Sequence, residues 1–276
     1  MSKSAVTLTF IGAGNMAGSL VRGLLRDGYP ADALRVADPL PAQLENFSAL
    51  GISTFDDNTA AVVGAEVVVL AVKPQIAHAV VSTLDTLQPS QLLVSIAAGI
   101  NLASLRDWSH AEQAIVRCMP NTPALLGAGM SALYANDHCN PTQRARAEQI
   151  LRAAGDVLWV NDERALDAVT AVSGSGPAYF FLLMEAMVAA GETLGLDTDT
   201  ATRLTLQTAY GAALMARDSE HSPATLRAQV TSPGGTTAAA LQVMLDQQLP
   251  TIIGSALVAA DARAAQLALE FGGDTP

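Results

Sequence analysis

The sequence predicts an α/β fold, with a parallel-sheet domain over residues 1–161 and an all-α domain over residues 162–276. Three observations predict it. Short β-rich runs alternate with helical stretches in the first part, which is the pattern of a parallel sheet covered by helices on both faces. A glycine-rich turn follows the first of those runs. From Glu163 onward the pattern changes to long, alanine-rich helical runs. The 276-residue length suits two domains of roughly 150 residues each. Half of the residues are hydrophobic and 15% are charged, which excludes a disordered chain.

In chain order, residues 6–11, 34–37, 67–72, 92–97 and 114–117 read as buried strands. Helices are expected over 12–26 and 59–63, and two later strands, 129–134 and 157–160, would close the far edge of the sheet. In the second part Pro177 opens a helix that Gly195 follows, the favoured asymmetry of helix ends. Asp197 caps the next, which runs to about Arg217. Ser222 and Pro223 are an N-cap and a first-turn proline. Helices over 237–247 and 250–271 complete the region. These faces are more apolar than one helical layer needs, so an obligate oligomer is expected, with this region at its interface.

Composition narrows the partners. Fifteen Lys and Arg against 26 Asp and Glu give a net charge of −11. Such a chain lacks the broad basic face that nucleic acid or an anionic membrane requires. The densest apolar stretch, 67–72, falls short of the ~18–20 residues of a membrane span. Residues 1–14 do not read as a signal peptide. Cys118 and Cys139 are far apart and form no CxxC pair, which suits a reduced, cytoplasmic protein. The only lysines are Lys3 and Lys73.

The turn Gly12-Ala13-Gly14-Asn15-Met16-Ala17 has the form G-x-G-x-x-A between a strand and a helix. Gly12 permits the tight turn, Gly14 lets backbone approach a pyrophosphate, and Ala17 lets helix and strand pack closely. This is the Rossmann-type dinucleotide fingerprint, with the helix N-terminus offering free N–H groups to phosphate. Asp38, at the end of the second strand, would accept from the ribose 2′-OH of NADH and repel the 2′-phosphate of NADPH; it also reads as a turn aspartate before Pro39. Lys73 and Pro74 end one strand, and the small residues around Ala97 end another. Carboxyl ends of this kind line the ligand crevice of an open α/β sheet. Lys73 thus suits a cofactor phosphate or ribose, or a solvated strand end, and the small residues suit a flat nicotinamide or ordinary tight packing. Asn121-Thr122, between two prolines, suits either polar groups aimed into a cleft or a rigid loop. The run from Val230 to Thr237 places glycines before a helix start and two hydroxyls. It reads as an anion cradle suited to a carboxylate, or as a helix capped by Thr236 through the same groups.

Other chemistries lack their residues. His78, His110, His138 and His221 show no metal-ligand spacing, so no metal site is expected. Gly174-Ser175-Gly176 is not a nucleophile elbow, because Ser173 and Pro177 stand where glycines are needed. The second region has no lysine. A site poor in acid and base groups fits imine reduction better than alcohol oxidation, since an imine can enter already protonated.

Taken together, FIGAGNMA at 10–17, AVKPQ at 71–75, SIAAGI at 95–100, RCMPNTPA at 117–124, AVSGSGPAYFF at 171–181 and VTSPGGTT at 230–237 resemble the pyrroline-5-carboxylate reductase family over nearly the whole chain. The resemblance implies a Rossmann domain followed by a helical domain that intertwines with a partner subunit, in dimers that often assemble into decamers. It implies reduction of 1-pyrroline-5-carboxylate to L-proline, the last step of proline synthesis. NADPH is the expected cofactor, with NADH left possible by Asp38. Cofactor contacts are implied at Gly12, Ala13, Gly14, Asn15, Met16, Ala17, Asp38, Asn58, Ala71, Val72, Lys73, Pro74 and Ala97, and at Gln229 from the neighbouring subunit. Substrate contacts are implied at Gly235, Thr236 and Thr237, with Ser232 and Glu163 nearby and Thr237 as the catalytic hydroxyl. Two rivals are weighed against this. A hydroxyacid or phosphogluconate-type dehydrogenase needs a lysine in the helical half, and a non-enzymatic dinucleotide sensor would bind cofactor without turnover.

Overall fold

The computed structural model describes residues 5–272; Lys3 lies outside them. Two compact units emerge. One runs to Ser175 and takes in the segment from Ala260; the other is Gly176–Ala259.

The first unit is built from β1 (Leu8–Ile11), α1 (Asn15–Arg26), β2 (Leu34–Ala37), α2 (Pro41–Ser48), β3 (Ser53–Phe55), α3 (Asn58–Val62) and β4 (Val67–Leu70). It continues through α4 (Pro74–Val81), β5 (Leu92–Ser95), α5 (Leu102–Trp108), β6 (Ala114–Met119), β7 (Gly129–Ala135), α6 (Pro141–Arg152), β8 (Gly155–Trp159) and α7 (Ala165–Val169). The eight strands form one sheet in the order β3-β2-β1-β4-β5-β6-β7-β8. All neighbours are parallel except β6 and β7. The strand order reverses direction at β1 and β4, and ligands of such sheets bind at that switch.

Both faces are buried. Leu8, Phe10, Val67, Val69, Leu92 and Val94 enter one core. Ile11, Val68, Leu70 and Leu93 enter the other. This is the period-two alternation of a strand covered on both sides, so the strands read as continuous apolar runs. Thr9, fully buried between them, satisfies its hydroxyl by donating to the Ala61 carbonyl at 2.9 Å.

The expected strands are present with altered ends. The runs 67–72 and 92–97 leave the ladder at Leu70 and Ser95, because their carboxyl ends turn out into loops. β6 instead runs on to Met119, since β7 pairs Ala132 with it. Unforeseen were β3, a three-residue edge strand without an apolar run, and α2, α4, α5 and α6. Three of those helices carry a first-turn proline: Pro41, Pro74 and Pro141.

After α7 a π turn over Thr170–Gly174 leads into α8 (Gly176–Thr193). Next come α9 (Thr198–Asp218), α10 (Pro223–Gln229), α11 (Thr236–Asp246) and α12 (Leu249–Gly272). The caps are those expected: Asp197 accepts the Thr200 N–H at 2.9 Å and Ser222 accepts that of Thr225 at 3.3 Å. Gly195, past the end of α8, has a φ of +96°. The second unit has little interior of its own. Ala201 and Thr205 are buried, and Phe180, Phe181, Leu182 and Val258 are each more than 60% exposed. By length and composition the helical runs Ala165–Thr193 and Leu249–Gly272 are sufficient to cross a membrane. Alanine dilutes them, so a search for the densest apolar stretch passes over them.

Candidate active site

The glycine turn is a consequence of close backbone packing. Gly12 has a φ of +99°, and a Cβ there would lie 2.6 Å from the Ala71 carbonyl oxygen. Its N–H donates to Ala37 and the Ala71 N–H donates to Ile11, each at 2.8 Å, so the turn is pinned between β2 and β4. Gly14 is the N-cap of α1, and among the described residues no side chain caps it. A Cβ on Gly14 would meet nothing within 4 Å. The first turn of α1 thus has no side-chain cap and has room beside Gly14, which fits a phosphate.

Asp38 closes the other side of this turn. Its Oδ2 accepts the Ala13 N–H at 2.9 Å and its Oδ1 accepts the Leu40 N–H at 3.0 Å. The turn-aspartate geometry is thus realised, and each oxygen keeps a lone pair for a further donor. Asn58 begins α3, whose cap is Asp57. Ala71, Val72, Lys73 and Pro74 run from the end of β4 into α4, with Lys73 exposed as its N-cap. Ala97 is buried just past β5, its N–H donating to Ser95 Oγ at 3.3 Å. Gly12, Ala13, Gly14, Asn15, Met16, Ala17, Asp38, Ala71, Lys73 and Ala97 all lie at carboxyl ends of strands of one sheet or in the helix starts that follow them.

Asn121 is a clasp in the loop after β6. Its Nδ2 donates to the Ser173 carbonyl and hydroxyl, both at 3.2 Å, and its Oδ1 accepts the Met130 N–H at 2.8 Å. Of the two readings of this loop, the rigid one holds for Asn121. The side chain fixes the π turn, and a Cβ on Gly174 would meet Met119 Cε at 2.5 Å. Such turns recur at functional sites.

Sequence reasoning missed Arg117. It sits in β6 with 7% exposure and donates from Nη1 to Glu163 Oε1 at 2.9 Å. The same oxygen accepts the Leu102 N–H at 2.7 Å. A basic residue inside Ala-Ile-Val-Arg-Cys-Met was the available signal. Asp167 stands nearby. Burial pushes its carboxyl above the usual range, opposed by Arg117 and reinforced by Asp261 and Glu163. Cys118 and Cys139 are free and buried. Burial raises both thiols, Cys139 to about 11, so neither is a ready nucleophile.

In the helical unit, Gly234 takes a φ of +71° and the Gly235 N–H donates to the Ser232 carbonyl at 3.1 Å. α11 then opens with Gly235 as its N-cap and, among the described residues, no side-chain cap. Thr236 and Thr237 are its first two residues, both exposed, as is Ser232. Capping by Thr236 is therefore not realised, and the first N–H groups stand open beside two hydroxyls. Gln229 ends α10, exposed.

The chain is similar to known proteins over nearly its whole length. A family model described as pyrroline-5-carboxylate reductase dimerisation matches residues 163–267, and one described as NADP oxidoreductase, coenzyme F420-dependent, matches residues 7–99. The pyrroline-5-carboxylate reductase of Pseudomonas aeruginosa is 52% identical over 271 residues, covering 98% of this chain and 99% of that one. Among solved structures, a pyrroline-5-carboxylate reductase from Coxiella burnetii superposes with a TM-score of 0.90 at 41% identity, covering 95% of this chain and 98% of that one. The Plasmodium falciparum pyrroline carboxylate reductase with NADP bound gives a TM-score of 0.86 at 28% identity, covering 97% and 100%. With its α/β sheet, its helical second region and more than half of its residues shared with a full-length relative, the chain belongs to the pyrroline-5-carboxylate reductase family.

Proposed function

We propose that the chain reduces 1-pyrroline-5-carboxylate to L-proline with NADPH, as the last step of proline synthesis. The observation that carries the reading is the pair of glycine-rich helix starts, at Gly14 and Gly235, whose N–H groups no described side chain caps. One suits a dinucleotide pyrophosphate and the other a substrate carboxylate. When bound, NADPH supplies the hydride that adds to the imine carbon, and a proton on the ring nitrogen completes L-proline.

The residues fit that group. Gly12 to Ala17 would take the pyrophosphate on the α1 N-terminus, with Asp38 beside the adenosine ribose. Asn58, Ala71 to Pro74 and Ala97 would line the remainder, and Gln229 would reach a neighbouring subunit's cofactor. On the substrate side, the open N–H groups of Thr236 and Thr237 would hold the carboxylate, with Gly235, whose own N–H is engaged by the Ser232 carbonyl, and Ser232 flanking. Thr237 Oγ would hydrogen-bond the ring nitrogen and steady the iminium. Glu163, with Oε1 committed to Arg117 and Leu102, has only Oε2 for a substrate contact. Fixing the two reactants in this way supplies up to ~7–11 kcal/mol of the barrier.

The apolar faces of residues 162–276 are read as a subunit interface, in a dimer that assembles further into a decamer. The two long apolar helices are then covered by protein rather than by lipid. Two free, buried cysteines suit a reduced, cytoplasmic setting. The net charge of −11 argues against nucleic acid as a partner. The test is paired initial rates of NADPH and NADH oxidation with 1-pyrroline-5-carboxylate. Turnover supports the reading, whereas folded protein that binds NADPH and reduces no imine would be a sensor.

A further inference from the structure

We propose that Arg117 and Glu163 are positioning residues that hold the loop between β5 and α5, and with it the wall of the dinucleotide site at Ala97. The proposal rests on the dinucleotide reading above.

Arg117 stands in β6 directly across from Ser95, the last residue of β5, and from Tyr134 of β7. A guanidinium at 7% exposure in an apolar strand is a costly placement, tolerated only with a close partner. Glu163 is that partner, and its Oε1 does two things at once. It accepts from Arg117 Nη1 at 2.9 Å and from the Leu102 N–H at 2.7 Å. Leu102 is the first residue of α5, so the carboxylate fastens the far end of residues 96–101 to β6. The near end is held by the sheet, through the Ile96 N–H on the Leu70 carbonyl at 3.1 Å. Between the two anchors Gly99 takes a φ of +75°, and a Cβ there would lie 3.3 Å from the Leu267 backbone. The loop therefore has one seat, and Ala97 is carried in it.

A fastener used only for stability has no need to sit here. Residues 96–101 leave the sheet at the carboxyl end of β5, next to the end of β4 that carries Lys73, where the ligands of open α/β sheets bind. Asp167, whose carboxyl feels Arg117, Glu163 and Asp261, adds negative charge near the same guanidinium. Glu163 is distinguished from Asp167 by the direct bond and by its hold on Leu102.

The test uses the full chain and the variants Glu163→Ala, Glu163→Gln and Arg117→Lys. The NADPH Kd is read by nucleotide fluorescence, and KM is measured separately for NADPH and for 1-pyrroline-5-carboxylate. Glu163→Ala and Arg117→Lys are each expected to raise the NADPH Kd and KM about tenfold, and Arg117→Lys, which keeps the Glu163 carboxylate, to leave the imine-acid KM within about twofold. Glu163→Gln, which keeps one acceptor, falls between the alanine variant and the parent. Should the alanine variant not fold, Glu163→Gln and Arg117→Lys decide through the same ratio. A raised imine-acid KM with unchanged NADPH Kd overturns the proposal and makes Glu163 a substrate contact. A lowered Tm with both constants unchanged overturns it as well. A parent protein that binds NADPH but turns over no imine defeats the functional reading alone, because the Kd comparison still reports on the loop.

Discussion

The Ala13 N–H donates to Oδ2 of Asp38 at 2.9 Å, which ties the phosphate-binding turn to the end of β2 by a charge. One carboxylate thus serves two purposes. It orders the turn, and it places a negative charge where the adenosine ribose of a dinucleotide is expected. Replacement by Asn removes the charge and one of the two acceptors. The NADPH/NADH ratio of kcat/KM should rise about tenfold in Asp38→Asn, roughly 1.4 kcal/mol. Tm should fall, since an N–H that loses its acceptor costs about 1 kcal/mol. Paired initial rates with the two cofactors read the first effect and a thermal melt the second. An unchanged ratio with a lowered Tm would leave Asp38 as a turn device only.

Gly12 is the least replaceable position of that turn. Its φ of +99° and the 2.6 Å approach of an added Cβ to the Ala71 carbonyl act together. Gly12→Ala must therefore move β4 away from β1 or flip the turn, and either displaces the N–H groups of α1. The expected result is a loss of at least ~10² in NADPH affinity, or ~2.7 kcal/mol, together with a lower Tm. Isothermal titration with NADPH checks it, and a variant binding within threefold of the parent refutes it. Gly14→Ala is the contrasting case, because space is open there in the free protein. It should fold normally and still bind NADPH poorly.

How much of this was legible follows from where the information sits. The strands β1, β4 and β5 announce themselves because burial on both faces writes near-continuous apolar runs into the sequence, and β2 and β6 do so despite Arg35 and Arg117. β3 does not, since Ser53-Thr54-Phe55 is half-exposed at the sheet edge. α2, α4 and α6 were signposted by first-turn prolines yet lack long apolar stripes. At the site, the glycine turn and the α11 cradle were readable because backbone chemistry demands glycine there. Capping by Thr236 was not separable from an anion cradle by sequence, as the same residues serve either purpose. The Arg117–Glu163 pair was not readable, because 46 residues separate the partners and only folding brings them together.

Asp167 carries a pH signature. Burial raises its carboxyl above the usual range, with Asp261 and Glu163 adding to the shift and Arg117 opposing it. A raised carboxylate favours folding while protonated, and that contribution is lost as pH rises through the folded-state pKa. At neutral pH the ionised group is therefore a net burden on the fold. Asp167→Asn should melt higher than the parent at pH 7.5. The gap should close as pH falls through the raised folded-state pKa, below which the parent carboxyl is protonated too. Melts over pH 3.5–8 test this across about the range that matters. A variant less stable than the parent at pH 7.5 would mean that attraction to Arg117 outweighs burial.

Thr237 is the one hydroxyl assigned to the reacting nitrogen. It is exposed in the first turn of α11 and has no structural duty as a cap. Thr237→Ala should therefore fold like the parent and bind NADPH equally well. kcat/KM for 1-pyrroline-5-carboxylate should drop by ~10² or more, about 2.7 kcal/mol of transition-state stabilisation. Thr237→Ser, which keeps the oxygen, should recover most of that loss. An unaltered kcat/KM in the alanine variant removes Thr237 from the chemistry.

The helical unit makes the strongest demand for a partner. Phe180, Phe181 and Leu182 follow one another on α8 and are 63%, 63% and 66% exposed. Three consecutive residues point in different directions around a helix, about 100° apart, so no single neighbouring helix of the same unit could cover them all. Each such side chain gains about 1.5–3 kcal/mol on full burial. A second copy of the chain provides that burial, as the dimerisation model over residues 163–267 leads one to expect. Placing a charge at the centre of this face should reverse the gain, because an ion buried without a counter-ion costs about 3–5 kcal/mol. Phe181→Glu is thus expected to weaken self-association at least ~10²-fold. In light scattering the parent should be oligomeric at micromolar concentration and the variant smaller. A monomeric parent would remove the interface, and a variant of undiminished mass would place it on another face of the unit.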